Sequence, residues 1–225
     1  MSRGEDVVFL VDVDNTLLDN DAVQVDLCAD LDRSLGACSC REYFAVLEEL
    51  RAELGYVDYL GALQRYRSRH LDDQSLLAVS RFLLEYPFAT RVFPGALALL
   101  SELRGRGEVV ILSDGDVVFQ PLKIRRSGLW AAVDGRVLVY VHKELRLDDV
   151  ARRHPARHYV LIDDKLRLLS ACKRAWAQRL TTVWVRQGHY ARTPEHTQGF
   201  SRPDVAVDAI AGLVGADWRI AAASG

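Results

Sequence analysis

Apolar residues follow two rhythms along this chain. From Val7 to Val13 they run almost without interruption and are rich in β-branched side chains, the pattern of a strand covered on both faces in a parallel sheet. Similar runs return at Val109–Leu112, Val137–Tyr140, Tyr159–Ile162 and Thr182–Val185. Between them the spacing lengthens to three and four. Leu97, Leu99, Leu100 and Leu103 mark one helix within 95–103, and Leu166, Leu169, Cys172 and Trp176 mark another. Strands alternating with helices predict an α/β fold with a parallel sheet flanked by helices.

One segment lacks strands. From about Asn20 to Tyr86 the periodicity is helical, as in Tyr43, Val46, Leu47, Leu50 and Leu54, then Leu76, Val79, Phe82, Leu83 and Tyr86. Gly36, Gly55 and the Leu71-Asp72 region read as turns between helices. At about 65 residues the segment is too long for a simple crossover. It reads as three or four helices forming a small all-α cap over 20–86, inserted into a Rossmann-like core of 1–19 and 87–225. The last residues, 221–225, read as a frayed tail.

Composition narrows the function classes. The 225 residues suffice for a full core with a small second unit. Hydrophobic content of 49% and charged content of 27% are those of a soluble globular chain. A formal net charge of -2 argues against nucleic acid and anionic membrane as partners. No apolar run approaches the roughly 18 residues of a spanning helix, and the first apolar run is too short and too acid-flanked for a secretory signal. A cytoplasmic protein is expected. Cys28, Cys38 and Cys40 have no CxxC spacing or nearby His to complete a zinc set. The four cysteines are therefore expected as reduced, partly buried thiols.

The chemistry gathers at the strand ends, where open α/β sheets bind ligands. After the first run come Asp12 and Asp14, then Asn15 and Thr16; after the second, Ser113-Asp114-Gly115; after the third, His142-Lys143-Glu144; after the fourth, Asp163-Asp164-Lys165. Alternate residues of a strand face the same way, so Asp12 and Asp14 would bring like charges together unless a cation or a proton lies between them. Taken singly, each group has a plain structural reading: a solvated turn, a helix N-cap, a turn cap, a surface amine. Those readings do not explain why all four groups share one sheet edge. A calcium loop is excluded, because Leu17 and Val23 stand where that loop needs Gly and Glu. Asp12, Asp14, Asp163 and Asp164 suit Mg²⁺, a hard cation that takes oxygen ligands. Ser113 and Lys143 suit phosphoryl oxygens.

On these residues the chain resembles the haloacid dehalogenase-like (HAD) superfamily. That family shows an apolar strand ending in Asp-x-Asp-x-Thr, a strand ending in Ser or Thr, a later Lys, and a strand ending in paired acids. Here these are DVDNT at 12–16, ILSDG at 111–115, VHKE at 141–144 and LIDD at 161–164. The helical insert resembles the family's cap. The resemblance implies that Asp12 is the nucleophile and forms an aspartyl-phosphate. Asp14 would be the general acid and then the general base. Ser113 and Lys143 would hold the phosphoryl group, with Asn15, Thr16 and Asp114 in the same cradle. Mg²⁺ would sit on the Asp12 carboxylate, the Asp14 carbonyl and Asp163, with Asp164 a further ligand or just outside. The founding dehalogenases lack an acid at the position of Asp14, which favours Mg-dependent hydrolysis of small phosphomonoesters. A sugar-phosphate mutase and a non-catalytic phosphate-binding module remain the alternatives.

No P-loop, GxSxG elbow or HExxH motif is present. The Gly105-Arg106-Gly107 triplet precedes a strand, the wrong context for a dinucleotide fingerprint. Candidates to read the leaving group are Arg41 and Tyr43 in the cap, Phe119 and Gln120 after the second strand, and the long 186–203 connection with His189, Tyr190 and Arg192. The basic and aromatic stretch 65–70 reads as a solvated helix face, with an anion-recognising patch as the sharper option. A small phosphorylated metabolite is the expected partner.

Overall fold

The computed structural model describes residues 7–68 and 73–218. The turn expected at Leu71-Asp72, the end of the 65–70 stretch and the 221–225 tail lie outside the described residues. Six strands form one all-parallel sheet: β1 (Val7–Val11), β2 (Glu108–Asp114), β3 (Val137–Tyr140), β4 (His158–Asp163), β5 (Leu180–Val185) and β6 (Val205–Val207), in the order β3-β2-β1-β4-β5-β6. The continuous apolar runs have a direct cause. Phe9, Val11, Val109, Ile111, Val160 and Ile162 pack into one hydrophobic cluster, while Val8, Leu10, Val110, Leu112, Tyr159 and Leu161 pack into a second. Both faces of the sheet are thus covered.

Four helices separate β1 from the later strands: α1 (Asn20–Leu35), α2 (Ser39–Leu54), α3 (Tyr59–Arg67) and α4 (Asp73–Glu85). They are followed by α5 (Ala96–Arg104), α6 (Phe119–Arg126), α7 (Leu129–Ala132), α8 (Leu147–Arg153), α9 (Leu166–Trp176), α10 (Gly188–Arg192) and α11 (Pro194–Thr197). The chain enters and leaves the four-helix unit along neighbouring paths. Leu18 and Val92 form an antiparallel bridge, and the Asp19 and Phe93 amides donate across it to Arg91 and Leu17. Among the described residues no helix is long and apolar enough to cross a membrane.

Three details depart from the sequence expectations. β1 stops at Val11, so Asp12 and Asp14 lie on the loop beyond it and not on the strand itself. The 186–203 connection carries two short helices and leads into β6, whose three residues are too few to show a periodic pattern. Cys28 and Cys40 are joined as a disulfide, while Cys38 and Cys172 are free. The turn at 36–38 folds α2 back on α1 and brings the two Cα atoms to 4.8 Å, a proximity that residue spacing alone does not reveal.

Candidate active site

β1 pairs with β2 on one side and β4 on the other, so the loops leaving these strands diverge and open a crevice at their carboxyl ends. The Asp12 amide adds a last rung by donating to the Ile162 carbonyl at 2.9 Å. Asn15 then turns the chain with φ 60°. Its side-chain oxygen accepts from the Asn20 and Asp21 amides, both at 3.1 Å, and starts α1. The Asn15 side chain thus ties the loop to α1, with its Nδ2 donating to Asp21 Oδ1 at 2.9 Å, and it also lines the cavity above the site. Thr16 is buried, and its Oγ1 has no hydrogen-bond partner.

Lys143 sits at the centre of the crevice, fully buried. Its Nζ lies 2.5 Å from Asp12 Oδ1 and 2.7 Å from Asp163 Oδ2, and donates to the Leu112 carbonyl at 3.1 Å. Burial works against the ammonium, but Asp12, Asp163 and Asp114 outweigh it and hold its pKa well above the usual value. Asp114 also accepts from the Lys143 amide at 2.8 Å and so fixes the turn that carries this lysine. Asp12, Asp163 and Asp164 are buried together, each with a carboxylate oxygen within 4.8 Å of the others. Burial pushes Asp12 up to about 6, against the pull of Lys143 and with the push of Asp163. Desolvation likewise raises Asp164 well above its ordinary range.

Several of these oxygens lack donors. Asp12 Oδ2 and both oxygens of Asp164 are buried without a hydrogen-bond partner. A buried, unpaired carboxylate oxygen is costly, and a cation shared by the three acids removes that cost. Three clustered oxygen donors fit Mg²⁺ or a similar hard ion. The Asp14 carboxylate stands apart from this trio.

Asp14 is a quarter exposed, and both of its oxygens are held by α6. Lys123 Nζ lies 2.5 Å from Oδ1, and Gln120 Nε2 donates to Oδ2 at 3.2 Å. Gln120 Nε2 also donates to Ser113 Oγ at 2.8 Å. Lys123 was not among the expected residues. It sits in FQPLKIRR beside Arg125 and Arg126, where every base looks solvated, and only the orientation of α6 shows that Lys123 turns inward. Lys165, which the sequence places at the fourth strand end without a role, is a further cation of the site. Its pKa is raised because Asp12, Asp164 and Asp163 outweigh its own burial.

Above these groups lies a cavity of about 480 Å³ between α1–α3 and the sheet edge. Asp14, Asp114, Gln120 and Lys165 line its floor, and Phe44, Arg51, Tyr56 and Tyr59 line its roof. His189 and Tyr190 close one side. Arg51 donates to Tyr190 Oη at 3.1 Å, and the Lys165 ammonium lies 5.0 Å from the Tyr190 ring centre. The root of this wall is pinned to the first loop. Gln187 donates to the Asn15 and Thr16 carbonyls at 3.2 and 3.0 Å, and Gly188 packs so closely that a Cβ there would lie 2.5 Å from Asn15 Cβ. Phe119 and Gln120 line the cavity as expected, whereas Arg41, Tyr43 and Arg192 do not. Arg41 is exposed, and Tyr43 is buried among α1–α4 with its hydroxyl donating to the Tyr59 carbonyl at 2.7 Å.

No protein-family model and no curated protein matches the sequence. Among solved structures, a haloacid dehalogenase-like hydrolase from Burkholderia xenovorans LB400 aligns with a TM-score of 0.90 and 58% identity, covering 96% of this chain and 98% of that one. Two more distant structures share the fold. The HAD-hydrolase YfnB from Bacillus subtilis, bound to magnesium, has a TM-score of 0.61 and 17% identity over 94% of this chain and 98% of its own. An L-2-haloacid dehalogenase from Xanthobacter autotrophicus, with chloropropionic acid covalently bound, has a TM-score of 0.58 and 18% identity over 94% and 97%.

Proposed function

Because the chain belongs to the haloacid dehalogenase-like hydrolases, we propose that it hydrolyses small phosphomonoesters through an aspartyl-phosphate on Asp12. The observation that carries this reading is Asp14, which reaches the cavity floor on the loop that also bears Asp12. A departing alkoxide needs a proton; a departing halide does not. In the first half-reaction an oxygen of Asp12 bonds to phosphorus, the bond from phosphorus to the leaving oxygen breaks, and Asp14 gives that oxygen its proton. In the second, water attacks phosphorus, Asp14 takes its proton, and the bond to Asp12 breaks to release phosphate. Lys143 holds Asp12 in place and offsets charge on the transferring group.

Asp12, Asp163 and Asp164 would hold Mg²⁺, which when bound supplies positive charge beside the phosphoryl oxygens. The unpartnered oxygens of this trio support that assignment. The likeness to a dehalogenase at 18% identity concerns the fold alone.

The test is phosphate release from a panel of phosphomonoesters, with Mg²⁺ and with chelator, for wild type beside Asp12→Asn. Release that requires the metal and disappears in the variant is expected. Wild-type rates in Asp12→Asn would exclude the aspartyl-phosphate. An isomerised sugar phosphate in place of free phosphate would make the enzyme a mutase.

A further inference from the structure

We infer that Gln120 and Lys123 are positioning residues that together fix the carboxyl group of Asp14, and that Gln120 ties this pose to Ser113. The inference rests on the phosphatase reading above.

Residues three apart on a helix share a face, and on α6 that face is turned inward: Gln120 and Lys123 are 3% and 1% exposed. Each grips a different oxygen of Asp14, at 3.2 and 2.5 Å. One such bond would leave the carboxyl free to rotate about its last torsion, whereas two from different residues fix it. Lys123 approaches from behind. Asp14, Gln120 and Asn20 line the cavity and Lys123 does not, so it acts through Asp14. Lys123 also donates to Asn20 Oδ1 at 3.1 Å, on the first residue of α1, and its ammonium lies 5.8 Å from the Phe119 ring centre. Because the Gln120 amide bonds both Asp14 and Ser113, the proton donor and the phosphoryl-binding hydroxyl share one support.

The consequence is chemical. A proton passes only across about 2.6–3.2 Å, and a misplacement on the order of 1 Å costs about a hundredfold in rate. In the first half-reaction, which kcat/KM reads, only a leaving group that requires a proton is sensitive to such a displacement; the second, where Asp14 takes the proton of water, is common to all esters and shows in kcat. A buried lysine that merely stabilises the fold would affect all substrates alike.

The experiment compares kcat/KM for an alkyl phosphomonoester and for p-nitrophenyl phosphate, whose leaving group departs as a stable anion. The Mg²⁺-loaded enzymes are wild type, Lys123→Met, Gln120→Leu, Asp14→Asn and the Lys123→Met/Asp14→Asn double variant. Lys123→Met is expected to lose on the order of a hundredfold on the alkyl ester and under about tenfold on the nitrophenyl ester. Asp14→Asn should show the same selectivity, and the double variant should be no worse than Asp14→Asn. Equal losses on the two esters would overturn the inference, as would a double variant that falls by the product of the single losses. Should Lys123→Met not fold, Gln120→Leu supplies the comparison in another form: a loss on both esters through Ser113, with the larger loss on the alkyl ester through Asp14. A wild type that releases phosphate from neither ester overturns the phosphatase reading and this inference with it; equal losses overturn the inference alone.

Discussion

Asp12→Asn separates the electrostatics of the site from its chemistry. Asp12 is 2% exposed, and burial beside Asp163 pushes its pKa from 3.8 to about 6 even though Lys143 pulls it down. A raised carboxyl pKa means that the native state binds the proton more tightly than the unfolded chain does. Native stability therefore falls as pH rises from 3.8 to about 6. At about 1.4 kcal/mol per unit, a shift of roughly two units costs the metal-free protein about 3 kcal/mol near neutral pH. An asparagine carries no charge, and its Oδ1 can still accept from Lys143. In chelator, Asp12→Asn should thus be about 1–3 kcal/mol more stable than wild type at neutral pH, with the difference shrinking toward zero near pH 4. Urea titrations across that range, extrapolated to water, read it directly. Added Mg²⁺ should narrow the gap by binding the wild-type native state. A variant less stable than wild type at neutral pH, or a difference that does not change with pH, would refute the reasoning.

Two further outcomes are expected. Gly188→Ala must place a Cβ against Asn15 at a backbone φ of +72°; it should cost about 1–3 kcal/mol in urea unfolding and raise KM more than it lowers kcat, because Tyr190 follows on the cavity wall. Partial burial works to raise the pKa of Asp21, but hydrogen bonds from His189 and Asn15 outweigh it and hold the carboxyl below 3.8. The stability this contributes is present above the unfolded value and is lost as pH falls through the folded one. Wild type should therefore lose more urea resistance than Asp21→Asn below about pH 4, and parallel acid profiles would contradict it.

The sheet and its four charged strand ends were legible because a strand buried on both faces leaves an unbroken apolar run, and the side chains just past it are the ones that meet at the crevice. Asp12, Lys143 and Asp164 lie just past their strands, and Ser113 and Asp163 lie in the last residues of theirs. Residues whose role depends on how one helix is turned were not legible. Lys123 looks like its basic neighbours until α6 is seated. Tyr43 resembles a substrate contact but belongs to the buried face of α2. Cys28 and Cys40 need a tertiary turn before they can pair, and His189 and Tyr190 reach the cavity because Gln187 and Gly188 dock on the loop after β1.

The central place of β1 also bears on how the chain folds. Val8 pairs with Glu108 on one side and with Tyr159 on the other, so no partner of this strand is close in sequence. As the chain leaves the ribosome, β1 stays unpaired while α1–α4, which pack against one another, are completed. Distant pairings of this kind slow folding and leave an apolar strand open to wrong partners in the interval. Of these six strands, the one that leads into Asp12 is thus the one that waits longest for its neighbours.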